Sequence, residues 1–407
     1  MSDSIPFEVQ TEIILRIPDT KSLIRYRSVS KAWKSVIDSK EFVTAHTLRH
    51  HQAHNRYHLL IKTLDCEGCE DCTGDNPISK HCDYCNYTPV KYMSIVDDDE
   101  TFPHQKVSVF APDSVHKFSR DLEIIGTSHG LFFLYEYGMD TALIWNPCIR
   151  KTVAILVPDK SERYYRTTIG FGVCPQNLDP KLVKITYAYD LRKLQDFNAS
   201  TQAEVFTLSS GGTWRSPLSS NLPHKSIQFR HSQAVVGRFI YWDAVDRIHL
   251  DDNDRFRNPK LIMSFDLTCE EFTKVNLPDS LALHHTAHLS LCNLKESLAV
   301  LDYKMNSRYD QENCHVWMLS GHGCTRSFDK VYSINAPGTS IHTTLGFRKS
   351  GAPIIEVDND KEDYYRHERV LATYEPESKS ITNIGVYGLH RNFYVHSYME
   401  TLLLHGH

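Results

Sequence analysis

Two series of apolar strand segments recur along residues 100–400 at a nearly constant spacing. In LVKITYAYD, apolar and polar residues alternate, so Val183, Ile185 and Tyr187 share one face of a predicted strand. The first series has separations of 52, 55, 60 and 55 residues and is centred on Phe133, Ile185, Ile240, Val300 and Ile355. In the second, a strand meets a polar turn and returns; its separations are 61, 59, 52 and 57, with markers Trp145, Phe206, Phe265, Trp317 and Tyr374.

A repeat of this length with several short strands is typical of a β-propeller, because one blade cannot bury both faces of its sheet without neighbours. Five blades follow directly from the two series. A sixth would combine YHLLIKT and KVSVFAP near the start with NFYVHSYMETLLL at the end, closing the ring so that few strand edges stay exposed. The sequence predicts a six-bladed all-β domain, with an irregular pair of β-sandwiches as the alternative.

The first 45 residues have helical periodicity instead. The predicted helix starts are Pro6, Asp19 or Thr20, Ser30 and Ser39. The apolar residues at helical spacing are Val9, Ile13, Ile14, Ile17, Leu23, Ile24, Tyr26, Trp33, Val36, Ile37, Phe42 and Ala45, of which the last two are predicted to face inward. Three or four short helices bury too little surface to be stable alone, so some of these residues should face another protein.

Charge and composition argue against nucleic acids and membranes as partners. The formal net charge is -5 and the pI about 6.5, which disfavours general binding to nucleic acid or to anionic membranes. No apolar run approaches the roughly 20 residues of a membrane span, and MSDSIPFEVQ lacks the features of a signal peptide. We expect the protein in the cytoplasm, the nucleus or both, where its 11 cysteines would be mostly reduced and a cysteine cluster indicates metal.

One such cluster lies in an acidic insertion that we place at residues 64–103. Cys69, Cys72, Cys82 and Cys85 form two C-x2-C pairs, which could give zinc four thiolates in a tetrahedral structural site. Cys66 and His81 compete as ligands, and the gap between the pairs is shorter than in most zinc ribbons. The alternative is a reduced acidic loop without metal.

The sequence contains no Gly-rich phosphate loop, no G-x-S-x-G elbow and no recognisable set of nucleophile and base. This lowers the odds of an enzyme. Apart from the structural zinc, we predict no cofactor.

The N-terminal segment IPFEVQTEIILRIPDTKSLIRYRSVSKAWKSVIDSKEFVTAH resembles an F-box. That resemblance implies docking to a Skp-type adaptor and, through it, to the cullin of an SCF ubiquitin ligase. By position in the motif, the adaptor-binding residues, divided between the interface and the unit's own core, would be Ile5, Pro6, Val9, Ile13, Leu23, Tyr26, Val29 and Trp33. The alternative is a helical cap on the larger domain with no partner.

The segments GTSHGLFFL, IWNPCIRKTVAI, GFGVCPQNLDPKLVKITY, AEVFTLSSGGTWRS, VVGRFIYWDAVD and IMSFDLTCEEFTKVNLP resemble successive motifs of the F-box-associated domain of plant F-box proteins. That family implies a kelch-like propeller that recruits a target protein, although a single Gly-Gly pair, Gly211 and Gly212, does not support a true kelch array.

We therefore predict a multidomain α plus all-β chain: an F-box at 1–48, a linker and first strand at 49–63, the insertion at 64–103 and the propeller at 104–407. Its expected function is that of a noncatalytic substrate receptor in protein degradation. The alternatives are a propeller-based enzyme or small-ligand sensor that uses the central channel, and an F-box scaffold that acts outside a ligase. The target protein and its binding residues are not predicted.

Overall fold

The computed structural model describes residues 5–52, 57–64, 90–112, 115, 122–158, 165–188, 201–247, 249–250, 256–283, 288–305, 311–321, 327–336, 339–358, 368–389 and 393–405.

The helical unit (residues 5–52) confirms the four predicted helices, which are α1 (Phe7–Leu15), α2 (Thr20–Tyr26), α3 (Lys31–Ile37) and α4 (Lys40–Gln52). Helix α2 begins where Asp19 Oδ2 accepts the backbone N–H of Ser22 at 2.8 Å. Helix α3 begins where Ser30 Oγ accepts the N–H of Trp33 at 3.1 Å. Both caps lie where the sequence places them.

One helix face was predicted wrongly. Phe42 is buried, but Ala45 is exposed, and α4 turns His46 and His50 inward instead. His46 Nε2 lies 3.0 Å from the carbonyl oxygen of Ile17, and burial lowers the pKa of His46 to about 4, so the neutral ring donates this hydrogen bond. The histidines thus satisfy carbonyls near the end of α1, which a hydrophobicity pattern does not reveal.

Among the described residues beyond 52, most regular structure is strand, with a 3-10 turn at Leu208–Ser210 and a short helix α5 (Asp279–Ala282). The strands are β1 (Tyr57–Leu64), β2 (Val90–Asp97), β3 (Lys106–Val109), β4 (Glu123–Ser128), β5 (Leu131–Tyr135), β6 (Thr141–Asn146), β7 (Lys151–Leu156), β8 (Tyr165–Val173), β9 (Pro180–Ala188), β10 (Gln202–Thr207), β11 (Trp214–Arg215), β12 (Ile227–Val236), β13 (Phe239–Asp246), β14 (His249–Leu250), β15 (Phe256–Arg257), β16 (Lys260–Asp266), β17 (Phe272–Val275), β18 (His288–Leu294), β19 (Ser297–Met305), β20 (Gln311–Ser320), β21 (Ser327–Ile334), β22 (Ile341–Phe347), β23 (Pro353–Asp358), β24 (Glu368–Tyr374), β25 (Ile381–Leu389) and β26 (Tyr394–Met399).

These strands form a six-bladed propeller of antiparallel sheets. Blades 1 to 3 are the sheets β4-β5-β6-β7, β8-β9-β10-β11 and β12-β13-β16-β17, with the small hairpin β14-β15 inserted in blade 3. Blade 4 contains β18 to β21 and blade 5 contains β22 to β25; the two are joined by one bridge between Gln311 and Ile341. Blade 6 has the order β26-β1-β2-β3.

Blade 6 closes the ring with both ends of the sequence, as predicted. Strand β26 pairs with β1 from Tyr57↔Met399 to Lys62↔Tyr394, so the last strand is the innermost strand of the blade that holds the first three. The predicted insertion needs correction, because β2 lies within residues 64–103 and pairs with β1 along its whole length. Tyr92 and Ile95 of β2 are buried, so this segment belongs to the propeller.

Both repeat series mark equivalent strands. All five markers of the first series lie in second strands, namely β5, β9, β13, β19 and β23. All five markers of the second series lie in third strands, namely β6, β10, β16, β20 and β24. The constant spacing therefore reports the repeat of blades along the chain.

The hydrophobic core lies between adjacent blades. Trp242, Ile185 and Phe229, for example, belong to the cluster between blades 2 and 3, and Tyr374, Ile355 and Val316 to the cluster between blades 4 and 5. Each blade thus buries its two faces against two neighbours, and burying one large apolar side chain contributes about 1.5–3 kcal/mol.

Polar side chains tie the inner strands together. Gln233 of β12 accepts the N–H of Phe171 at 3.1 Å and donates to its carbonyl at 3.0 Å. Ser128 Oγ of β4 accepts the N–H of Val173 at 3.0 Å, and Ser232 Oγ of β12 accepts that of Leu291 at 2.8 Å. These bonds satisfy backbone groups that no neighbouring strand reaches.

Candidate partner-binding surfaces

Large apolar side chains remain exposed on the helical unit. Ile5, Phe7, Val9, Ile13 and Val29 are 42, 42, 47, 51 and 61% exposed. Val9 and Ile13 lie one turn apart on α1 and therefore share a face. Apolar groups concentrated in so small a unit are typical of a surface that a partner covers.

Tyr26 and Trp33 connect this surface to the interior. Their rings meet edge to face with centroids 5.8 Å apart, and Trp33 Nε1 donates to Gln10 Oε1 at 3.0 Å. Both rings are partly buried and pack against the core that includes Ile37. Trp33 therefore holds α3 beside α1 and α2 and still presents part of its ring to solvent.

The structure sorts the residues predicted to bind an adaptor. Ile5, Pro6, Val9, Ile13 and Val29 are exposed. The carbonyl of Pro6 also accepts the N–H groups of Val9 and Gln10 at 3.0 and 3.1 Å, so Pro6 begins α1.

Within the predicted division between interface and core, Leu23 falls in the core, because its side chain is 0% exposed and packs with Ile14 and Ile37. It is a core residue of the helical unit. Phe7, which the sequence prediction omitted, takes its place in the exposed set; its position directly after the helix-starting Pro6 was the available signal.

The propeller has two unlike faces. In blades 1 to 5 the first and second strands are joined by turns of two to six residues, such as 129–130, 237–238 and 174–179. Second and third strands are separated by longer connections in four blades, namely 65–89, 189–201, 247–259 and 359–367. Because strand direction alternates, the two kinds of connection leave at opposite ends of the blades; we call these ends the short-turn face and the long-connection face.

The helical unit lies on the short-turn face at blade 1. A Cβ added to Gly130, in the turn between β4 and β5, would lie 2.1 Å from the carbonyl oxygen of Met399, where β26 ends. The next residues reach the helices, and Thr47 Oγ1 of α4 lies 3.5 Å from Thr401 Oγ1. The helical unit therefore lies at the end of the blades opposite to the long-connection face.

Charged groups are buried at the junction of blades 3 and 4. The Asp243 side chain is 2% exposed, and its Oδ2 lies 3.8 Å from Arg230 Nε. Burial raises the pKa of Asp243 to about 6, against the opposing charges of Arg230 and Lys260. Burial likewise lowers the pKa of Lys260. Burial therefore favours the neutral form of each group, and the opposite charges nearby offset only part of this effect.

A groove of about 490 Å³ lies on the outer edge of blade 3, between residues 221–224 and β17. Its walls include His224, Asp246 and Lys274 beside Leu222. Asn221 Nδ2 donates to the carbonyl of Phe272 at 3.1 Å, which occupies a carbonyl on the edge strand. The mixed lining fits a polar segment as well as an apolar one and does not single out a ligand.

The predicted zinc ligands Cys69, Cys72, Cys82 and Cys85 lie outside the described residues, so the zinc site stays a prediction. Among the side chains that the structure does describe, no group of three or more could hold a metal ion. No helix in the described part of the chain is both long and apolar enough to cross a membrane.

Solved structures resemble the chain only distantly. Hydrazine synthase of Kuenenia stuttgartiensis superposes with a TM-score of 0.42 at 8% identity, over 88% of this chain and 48% of that one. A likeness of this degree carries no argument about function.

Family models and relatives are more informative. A model described as F-box domain matches residues 3–44, and one described as F-box associated beta propeller domain matches residues 90–401. The F-box protein At3g07870 of Arabidopsis thaliana is 23% identical over 98% of this chain and 92% of its own length. The F-box protein CPR1 of the same plant is 22% identical over 94% and 84%. The chain belongs to the family of plant F-box proteins that carry an F-box-associated β-propeller domain.

Proposed function

We propose that this protein is the noncatalytic substrate receptor of an SCF-type ubiquitin ligase. Its helical unit binds a Skp-type adaptor and, through it, a cullin, while the propeller holds a target protein for ubiquitination. The observation that carries the proposal is the exposed apolar set Ile5, Phe7, Val9, Ile13 and Val29 within the segment that matches the F-box model.

In this role the chain catalyses no step itself and only brings the target close to the conjugating enzyme. Holding a target lysine beside a conjugating enzyme raises its effective concentration, and this requires two binding surfaces on one body but no reactive group. The helical unit on the short-turn face and the long-connection face at the opposite end of the blades support such an arrangement. We assign target binding to the long-connection face.

Capture of a purified Skp-type adaptor by the full chain tests the proposal. The variant carries Val9→Asp and Ile13→Asp, two exposed positions whose substitution leaves the core intact. A carboxylate buried in an apolar interface without a partner costs several kcal/mol, so capture should fall at least 100-fold. Leu23 is excluded from the variant, because a charge there would unfold the helical unit.

Leu156→Asp is the matched control, since Leu156 is an apolar side chain 65% exposed on blade 1. It should capture adaptor as the wild type does. Equal capture by Val9→Asp/Ile13→Asp and wild type would overturn the assignment of this surface. Failure of the wild type to capture any Skp-type adaptor would overturn the proposed function and leave the helices as a cap on the propeller.

A further inference from the structure

The segment Glu400–His405, which follows β26, is buried between the helical unit and blade 1; we call it the clamp segment. Thr401, Leu402, Leu403 and Leu404 are 3, 0, 6 and 3% exposed. Its three leucines belong to one apolar cluster with residues of both neighbours. The members from the helices include Ile14, Leu23 and Phe42, and those from blade 1 include Leu131, Phe133 and Ile144.

Asn146, at the end of β6, is the anchor of the clamp segment on the propeller. Its side chain is fully buried, and Nδ2 donates one hydrogen to the carbonyl of Thr401 at 2.9 Å and the other to that of Leu403 at 2.8 Å. Its Oδ1 accepts the N–H groups of Cys148 and Ile149 in the following turn at 3.0 and 3.4 Å. Every hydrogen-bonding group of this amide is thus engaged.

Blade 3 shows why this position needs an amide. Asp266 ends the third strand of blade 3, as Asn146 does in blade 1, and its Oδ1 accepts the N–H groups of Thr268 and Cys269 in the same way. The second oxygen of Asp266 pairs with Arg238 at 2.9 Å. A carboxylate therefore suffices to shape the turn, and the donors of Asn146 serve the clamp segment alone.

The other side of the clamp segment contacts three of the four helices or their ends. Glu400 pairs with Lys21 of α2 at 3.4 Å, and Thr401 meets Thr47 of α4. His405 Nε2 lies 2.7 Å from Oδ1 of Asp38, the residue that ends α3. Asp38 is itself held by two hydrogen bonds from Arg27, of 2.6 and 2.9 Å.

We propose that the clamp segment fixes the helical unit to the propeller in one orientation, with Asn146 as the positioning residue. Six residues fill the space between the two bodies and place three leucines in a core that neither body completes alone. They accept hydrogen bonds from Asn146 and Lys151 of the propeller and pair with Lys21 and Asp38 of the helical unit. If the proposed function holds, the clamp sets the geometry between the bound adaptor and the long-connection face. The clamp is formed within this chain alone and does not depend on a bound adaptor.

Hydrogen exchange of the full chain tests the clamp, with Asn146→Asp as the first variant. The substitution keeps the size of the side chain and the oxygen that shapes the turn. It replaces the donating nitrogen with a second oxygen, which faces the carbonyls of Thr401 and Leu403. Amides of α2, α3 and α4 should exchange at least tenfold faster, while those of β9, β13, β19 and β23 keep their wild-type rates. Leu402→Ala/Leu404→Ala, which removes apolar contacts instead of the hydrogen bonds, should give the same regional pattern.

Asn221→Asp is the matched control, because Asn221 also donates to a backbone carbonyl but lies on blade 3. It should leave the helices unaffected. Unchanged exchange of α2 to α4 in both clamp variants would overturn the proposal, as would an equal acceleration throughout the propeller, which would make the segment an ordinary part of the global fold. Because exchange is measured without an adaptor, failure of the ligase proposal would be seen separately, in the capture experiment.

Discussion

At the scale of single residues, the carboxylate of Glu270 joins blades 2 and 3. Its side chain is 0% exposed and accepts hydrogen bonds from Lys181 Nζ at 2.7 Å and from Arg215 at 2.6 and 2.7 Å. Burial alone would raise the pKa of Glu270, but the hydrogen bonds from Arg215 and Lys181 outweigh it and lower the pKa to about 2. Stability from this group is therefore fully present above the ordinary pKa of 4.5 and is lost as pH falls toward 2.

Glu270→Gln should lower the free energy of unfolding at pH 7 by about 2–3 kcal/mol. That is less than the 3–5 kcal/mol typical of a broken buried pair, because the Arg215 side chain is 41% exposed. Urea unfolding should show the difference from wild type shrinking as pH falls below about 4.5. Glu271→Gln, one residue on and exposed, is the control. A loss of the same size in the control, or one independent of pH, would contradict this account.

The four cysteines of the predicted zinc site allow an independent test. Full-length protein purified without added metal should carry about one zinc per chain by elemental analysis, and Cys69→Ser/Cys82→Ser should lose it because two thiolates are removed. Wild type that is folded but free of metal would refute the site.

Residue types predicted hydrogen bonds between neighbours in sequence better than they predicted which side chains are buried. Asp19 and Ser30 could be assigned as caps because the bond spans only three residues. Leu23 and Ile13 could not be told apart, because both fit the helical period and only the packing of α3, α4 and the clamp segment decides which one is covered. The anchoring role of Asn146 depends on a segment more than 250 residues away and has no local signal.

At the scale of elements, close packing between neighbouring blades requires glycine at Gly170 in the inner strand β8. A Cβ there would lie 2.1 Å from Cζ2 of Trp242, whose ring is buried between blades 2 and 3. Gly346 occupies the inner strand β22, and a Cβ there would meet nothing nearer than 3.9 Å.

Gly170→Ala should therefore lower the free energy of unfolding by about 1–3 kcal/mol, because Trp242 must move within a close-packed core. Gly346→Ala should be neutral or slightly stabilising, since it only restricts the unfolded chain. Thermal unfolding of both variants measures the contrast. Equal effects at the two sites would show that the intrinsic preference of the strand, and not the packing of Trp242, determines the cost.

The strands themselves were largely predictable, because the apolar alternation repeats with the blade. Strand β2 was missed because it follows the Cys-rich segment and blade 6 contributes no marker to either series. Its place became clear only through the pairing with β1. The number of blades could be predicted from the chain length and the repeat period. The pairing of β1 with β2 across the Cys-rich segment became visible only in the structure.

At the scale of the whole molecule, the chain is a ring with a helical unit fixed to one face. The six inter-blade cores make the ring one cooperative body, and the clamp segment extends one of those cores into the helices. Sequence periodicity predicted both the ring and the helices, but not their relative orientation, which rests on tertiary contacts of Glu400–His405.

The central claim, that this chain links a target to a ligase, is tested most directly by assembly. The full chain is mixed with a purified Skp-type adaptor and cullin, and the molar mass of the eluting species is measured by light scattering. The account predicts one particle with one copy of each protein, in which the chain contributes 46.9 kDa. A chain that binds the adaptor but excludes cullin would be a scaffold outside any ligase, and a chain that elutes alone at 46.9 kDa would contradict the account altogether.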